Sequence, residues 1–155
     1  YSNNILIINQ ENMGQAVARN NALEHVKGKY VNFLDSDDKW GIPVFEEVEK
    51  FFNEHEDEVD VVCTRMRIFD ARSSWHALDF KFGKGTRVVD ITDEEEQDVI
   101  QLHVSSAFIK RDAIDDERFN EKVKFGEDAL FVNSIIFKKC KYGLIKEYLY
   151  YYGNV

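Results

Sequence analysis

The stretch Tyr30–Trp40, Y-V-N-F-L-D-S-D-D-K-W, constrains this chain more than any other. A mostly apolar run, Tyr30 to Leu34, passes directly into the carboxylates Asp35, Asp37 and Asp38. The apolar run suits a buried strand. A strand that ends in an acidic cluster is a rigid support for a hard divalent cation, which takes oxygen ligands. Asp35 and Asp37, as alternate residues, can turn their oxygens toward one point beyond the strand end. The plainer alternative is an acidic turn that caps a helix beginning near Pro43 and solvates the sheet edge.

Two other acidic-site chemistries fail on neighbouring residues. Glu46 stands where the closing bidentate ligand of a calcium loop begun at Asp35 would stand. Such a loop, however, needs Gly at the position of Trp40 and an oxygen ligand at the position of Lys39. An aspartyl-phosphate reading, with Asp35 as nucleophile and Asp37 as acid, expects a small Thr or Ser region further on, and Asp38-Lys39-Trp40 offers none.

The rest of the chain supplies a frame for this cluster. Ile5-Leu6-Ile7-Ile8 has the apolar character of a parallel strand, and Asn9 to Gly14 reads as a loop. Gln15 to Val26 reads as a helix with Ala16, Ala18, Ala22 and Leu23 available for packing and a stop at Lys27-Gly28. With the strand Tyr30–Leu34 this makes a βαβ unit, whose functional groups gather at the carboxyl ends of its strands. The chain bends at Gly41 and restarts at Pro43, a favourable first helical position, for an amphipathic helix through about His55. Val59 to Cys63 is the next strand, and the alternation predicts an α/β fold with a mostly parallel sheet flanked by helices.

From Arg65 to about Asp98 the rhythm breaks. Ile68-Phe69, Leu78–Phe82 and Arg87–Val89 read as short strands, Gly83 and Gly85 as a turn, and Asp93–Glu96 as an acidic loop or helix start. The segment is expected to be a small β insertion covering one sheet edge. Val104–Lys110 is a further strand, and Asp128–Lys139 a helix with Leu130, Phe131, Ile135 and Ile136 inward. Tyr142–Tyr152 reads as an extended aromatic segment. The expected organisation is therefore one domain in three parts: 1–64, a donor and metal αβ half; 65–100, the β insertion; and 101–155, an acceptor-side half.

Composition excludes some partners. The net charge of −9 disfavours nucleic acid, whose phosphates are met by clustered Lys and Arg. Cys63 and Cys140 lie far apart without metal-ligand spacing, which fits reduced, buried thiols in a cytoplasmic protein. No apolar run has the length of a membrane span, and none at the start reads as a signal peptide.

Asn12-Met13-Gly14, Ala18-Arg19-Asn20, Gly28-Lys29-Tyr30, Phe33-Leu34-Asp35-Ser36-Asp37-Asp38 and Trp40 together resemble the central block of family 2 glycosyltransferases. The elements of that block are Asn-x-Gly, Ala-Arg-Asn, Gly-x-Tyr and Leu-Asp-x-Asp-Asp, and they occur here in order and at the right spacing. Phe125-Gly126-Glu127-Asp128, ahead of an apolar helix, resembles the Glu-Asp motif from which that family takes its catalytic base. Alone, Glu127 and Asp128 would read as carboxylates opening a helix, where the dipole favours them by about 0.3–1 kcal/mol.

The resemblance implies a GT-A fold and transfer, with inversion, of a sugar from a nucleotide-diphosphate sugar to an acceptor hydroxyl. Asp35 and Asp37 would hold Mn2+ or Mg2+, with Asp37 in direct contact. Asn12, Gly14, Arg19, Asp35 and Asp38 would form the donor side. Asp128, with Glu127 beside it, would take the acceptor's proton. His103, Ser105 and Trp40 are weaker acceptor-side candidates, set against their roles as a satisfied histidine, a surface serine and a core aromatic; Trp75 is weighed the same way.

The chain opens at Tyr1, and the resemblance begins in the middle of the family's domain. It is therefore expected to be an excised piece that lacks the first strand-helix-strand and does not turn over by itself. The middle segment and Gln101–Lys110 are similar to modules of bacterial wall teichoic acid and other surface-polymer synthases. That implies a carbohydrate, polyol-phosphate or lipid-linked acceptor and a cytoplasmic site of action at the inner membrane face, with peripheral membrane contact through regions outside this chain. The alternative class is a catalytically inactive GT-A-like docking module of a larger synthase.

Overall fold

The computed structural model describes residues 4–41, 44–69, 74–96 and 99–153. Among them one seven-stranded sheet is built from β1 (Tyr30–Val31), β2 (Lys39–Trp40), β3 (Val61–Phe69), β4 (Ser74–Trp75), β5 (Arg87–Asp90), β6 (Ala107–Lys110) and β7 (Lys141–Gly153). The order is β1-β6-β3-β7-β2, with β4 on β3 and β5 on β7. Helices α1 (Gln15–Leu23), α2 (Phe45–Glu54), α3 (Arg111–Ile114) and α4 (Glu127–Lys139) complete the domain.

Alternation along β3 divides the core. Val61 and Cys63 face α1 and α4, joining Ala16, Leu23, Phe131, Val132, Ile135 and Ile136. Val62 faces the other way, with Phe108 and Ile145 against Val48, Phe51 and Phe52 of α2. Each fully buried Val, Ile or Phe contributes roughly 1.5–3 kcal/mol, so both faces hold the sheet between helical layers. This is the expected α/β architecture.

The pairing is mostly antiparallel, however, and corrects the expected parallel sheet. β1 and β3 flank α2 in sequence as a βαβ unit would, but β6 lies between them and runs antiparallel to both, with Tyr30 opposite Lys110 and Val61 opposite Ile109. Among the described strands only β3 and β7 are parallel. Apolar content marks a strand as buried and carries no direction, so a strand arriving from distant sequence could not be oriented in advance.

β7 is shared by two neighbourhoods. Its first part pairs with β5, and its last part, beyond a register shift against β3, pairs with β2. That brings Tyr150–Gly153 beside the acidic turn. A Cβ on Gly153 would stand 2.3 Å from the Asp37 carbonyl oxygen, so only glycine allows this approach.

Other expectations change locally. Ile5, Leu6 and Ile7 form no strand and are 68, 65 and 78% exposed. A parallel strand needs a ladder partner, and no described strand lies beside them. On α1 the buried stripe is Ala16, Arg19 and Leu23, whereas Ala18 and Ala22 are exposed. Leu78–Phe82 lies in a 3-10 helix, Ala77–Phe82, because His76 Nδ1 accepts the Leu78 N–H and starts a turn instead of a ladder. α4 keeps its expected span, but Leu130 faces outward. β6 begins at Ala107, with Val104–Ser106 in a turn before it. Cys63 is buried as expected, whereas Cys140 is partly exposed, because it caps α4 in the left-handed conformation. The expected helix start at Pro43 lies outside the described residues. No helix among them is long and apolar enough to cross a membrane.

Candidate functional site

Two helix starts and one turn converge. Asn12 Oδ1 accepts the Gly14 N–H at 3.2 Å, and Gly14 opens α1. Asn12 and Gly14 thus organise the helix that carries Gln15 and Arg19. Gly126, at φ 82, opens α4 in a left-handed conformation that suits glycine. The first turn of α4 then presents Glu127 and Asp128 to α1. Gln15 Nε2 donates to Glu127, and Arg19, one helical turn on, donates to Asp128.

Arg19 also reaches the acidic turn. Its second terminal nitrogen donates to Asp35 Oδ1 at 3.1 Å and approaches Oδ2 at 3.4 Å. The guanidinium is nearly buried and lies 5.4 Å from the centroid of Phe119 and 6.0 Å from that of Phe33. Asn20, next in the Ala-Arg-Asn element, holds this floor by exchanging hydrogen bonds with the Phe119 backbone at 2.8 and 2.9 Å. Phe119 in turn stacks on Phe131 of α4 with centroids 4.0 Å apart.

Of the two acidic residues, Asp128 is the one that Arg19 engages. Burial raises its carboxyl above the ordinary aspartate range, and Glu127 adds to this, while Arg19 and the Val104 N–H, 3.4 Å from Oδ2, pull the other way. A carboxylate so placed is more basic than a free one. Glu127 is buried against Gln15 and holds the helix start.

The acidic turn divides its labour. Asp38 accepts from the Tyr150 hydroxyl and from the Gly153 N–H at 2.7 Å, so it ties the turn to the end of β7. Burial lifts its pKa, with Asp37 and Asp35 adding repulsion against the two donors. Asp37 is exposed, and no hydrogen bond to its side chain occurs among the described residues. Asp35 and Asp37 are hard oxygen donors. No group of three or more metal-ligating side chains is assembled among the described residues. A Mg2+-type ion needs none, because one or two carboxylates with substrate phosphates and water suffice.

The weaker candidates separate from this centre. Trp40 is packed, with Phe108 at 4.9 Å and Tyr150 at 4.7 Å, and its indole donates to Asn32 Oδ1 at 3.1 Å. Asn32 Nδ2 in turn bonds the carbonyls of Ser105 and Ala107, and Ser105 is buried rather than on the surface. His103 faces His76, with Nε2 atoms 3.0 Å apart. Trp75 is largely exposed and lies under Arg65, 3.8 Å from its centroid.

Sequence reasoning missed Gln15, Tyr150, Gly153 and His76. Only Gln15 left a signal, four residues before Arg19 on one helix face; the others arrive through strand pairing and turns.

A family profile described as glycosyl transferase family 2 matches residues 1–118. The chain is 43% identical over 152 residues to the minor teichoic acid biosynthesis protein GgaB of Bacillus subtilis (strain 168), covering 98% of this chain and 17% of that protein. It is 34% identical over 155 residues to GgaA of the same organism, covering 98% of this chain and 34% of that protein. It thus spans well under half the length of these relatives. In fold it matches S. aureus TarS 1–349 in complex with UDP-GlcNAc, with a TM-score of 0.73 and 22% identity, over 92% of this chain and 39% of that one. The expected GT-A architecture is borne out by this likeness.

Proposed function

Because this chain belongs to glycosyl transferase family 2, we propose that it transfers a sugar from a nucleotide-diphosphate sugar to a hydroxyl of a teichoic-acid-type surface polymer, with inversion at the anomeric carbon. The convergence of Asp35 and Asp128 on Arg19 supports this reading most directly, because it unites the donor-side acidic turn and the base in one site. The relatives' names point to the polymer class, and the TarS complex makes UDP-GlcNAc the first donor to test. A nucleotide-sugar donor fits action on the cytoplasmic side of the membrane.

Asp35 and Asp37 would hold Mn2+ or Mg2+, which when bound neutralises charge on the departing diphosphate. Arg19, a rigid fork suited to phosphate, turns from Asp128 toward the donor as that anion arrives. Released from the cation, Asp128 accepts the proton of the attacking hydroxyl. The new bond forms from the acceptor oxygen to the anomeric carbon as the bond to the diphosphate oxygen breaks on the opposite face. Asp38 keeps the turn in place through Tyr150 and Gly153.

The test is calorimetric titration of the whole protein that carries this domain with UDP-GlcNAc with and without Mn2+, together with transfer assays on its Asp128→Asn variant. Metal-dependent binding and loss of transfer are expected. Metal-independent binding removes the Asp35–Asp37 assignment, and wild-type transfer by the variant removes the base.

A further inference from the structure

The two tryptophans of this chain have opposite surroundings. Trp40 packs against Phe108 and Tyr150 and spends its indole N–H on Asn32. Trp75, on β4, is 47% exposed. Among the described residues no aromatic ring packs on it and its indole N–H has no acceptor. Exposure alone means little; what sets Trp75 apart is the support built against it.

The Arg65 guanidinium stands 3.8 Å from the centroid of the Trp75 ring, in contact with one of its faces. Asp79, in the 3-10 helix, accepts two hydrogen bonds of 2.8 Å from that guanidinium. A two-bond fork fixes the plane of the guanidinium, and the plane fixes the ring stacked on it. Arg67, the register partner of Trp75 on β3, reaches to 5.6 Å from the same centroid. The Arg65 side chain is only 19% exposed, so the ring shields the guanidinium and turns its other face to solvent. Trp75 thus offers a flat, prearranged ring face with a donor on its edge, and the Arg65 charge behind it is balanced by Asp79.

That combination selects among ligands. An aromatic face is negative and takes the positive C–H face of a pyranose ring, while an indole N–H donates to a sugar hydroxyl. An anion gains little, because the guanidinium that would attract it is engaged by Asp79. Single-stranded nucleic acid also stacks on aromatic rings, but it needs a cationic groove along its backbone, and this chain carries a net charge of −9.

Position separates the platform from the Arg19 centre. Lys39, Tyr151, Arg67 and Trp75 are in register across β2, β7, β3 and β4. Neighbouring strands lie about 4.8 Å apart, so Trp75 is roughly 14 Å across the sheet from Lys39, which directly follows the acidic turn.

We propose that Trp75 is a stacking platform for a pyranose ring of a carbohydrate chain, at a site outside the centre formed by Arg19, Asp35 and Asp128. Trp75 binds the ring, and Arg65 and Asp79 are positioning residues behind it. The site takes carbohydrate whether or not the donor site is filled, so the inference stands apart from the transferase reading.

Fluorine NMR of the whole protein that carries this domain, made with fluorotryptophan, tests this; the Trp75 resonance is the one missing from Trp75→Phe. Chitotetraose and maltotetraose supply pyranose chains, sorbitol is the open-chain control, and UDP supplies a base that could stack instead. At least one of the two oligosaccharides is expected to move the Trp75 resonance saturably, and to do so equally at saturating UDP-GlcNAc and Mn2+. Sorbitol and UDP should leave it in place. Arg65→Met should weaken oligosaccharide binding several-fold, because the ring loses the plane that holds it. A Trp75 resonance that neither oligosaccharide moves, or that sorbitol or UDP moves as far, overturns the proposal, as does undiminished affinity in a folded Arg65→Met. If Arg65→Met does not fold, the Trp75 resonance decides. Failure of UDP-GlcNAc to bind with Mn2+ would remove the transferase reading and leave this inference standing.

Discussion

Arg19 on α1 and Asp128 at the start of α4 form an ion pair across 109 positions of sequence, and the same guanidinium holds Asp35 of the acidic turn. One cation thereby sets the spacing of a donor-side carboxylate and a candidate base. It also opposes the upward pull that burial exerts on the Asp128 carboxyl.

Replacing Arg19 by Met should leave Asp128 and Asp35 facing each other without a counter-charge. Removing one member of a buried pair costs about 3–5 kcal/mol; because the Asp35 side chain is 40% exposed, a loss at the lower end, about 3 kcal/mol, is expected. Urea unfolding measures it, and a loss below about 1 kcal/mol would show that the pair carries little of the fold.

Asp128→Asn should keep the shape and remove the proton acceptor. Transfer is expected to fall roughly a thousandfold, within the range for general-base removal, with donor affinity nearly unchanged. Steady-state kinetics beside donor titration separates the two effects.

The same substitution should alter the pH dependence of stability. Burial raises the native carboxyl above its unfolded value. The native state then holds its proton to higher pH than the unfolded chain, and the contribution of this group to stability falls as pH rises from about 4 upward. Asp128→Asn cannot ionise, so unfolding free energies measured across that interval should decline less steeply than in the wild type.

Gly153→Ala would press a methyl against the Asp37 carbonyl, 2.3 Å from the ideal Cβ position. The acidic turn must shift, at a cost of about 1–3 kcal/mol typical of overpacking. Metal-dependent donor binding should weaken tenfold or more while far-ultraviolet circular dichroism stays native. Unchanged donor affinity would separate the turn from the donor site.

Asp37→Ala removes an exposed carboxylate with no hydrogen-bond partner among the described residues, so stability should change by less than about 0.5 kcal/mol. Addition of EDTA should weaken UDP-GlcNAc binding by the wild type and leave the variant's unaffected. A variant that still responds to Mn2+ as the wild type does would take Asp37 out of the metal site.

Much of this site was legible because its pieces are local. The apolar run into Asp35-Ser36-Asp37-Asp38, the Ala-Arg-Asn helix and the Gly-Glu-Asp helix start each announce themselves within a few residues through period, capping and charge. Helix α4 kept its expected span for the same reason. The middle segment was the least legible: alternation at Leu78, Phe80 and Phe82 suggested a strand, yet the His76 side chain started a 3-10 turn that buries Lys81 and Phe82 and leaves Phe80 outside.

The sequence by itself determined the chemical kinds present: an acidic cluster after an apolar run, a helix-borne arginine, a carboxylate pair at a helix start, and enough apolar surface to build a core; the expected strand Tyr30–Leu34 ends at Val31, so the cluster sits on a turn. Only the tertiary structure decided how they meet. It set β6 antiparallel between β1 and β3, brought Tyr150 and Gly153 to Asp38, and placed Arg19 between Asp35 and Asp128. The physical reason is that periodicity and capping act over a few residues, whereas strand direction, charge pairing and burial are settled by which distant surfaces fit together once the core closes.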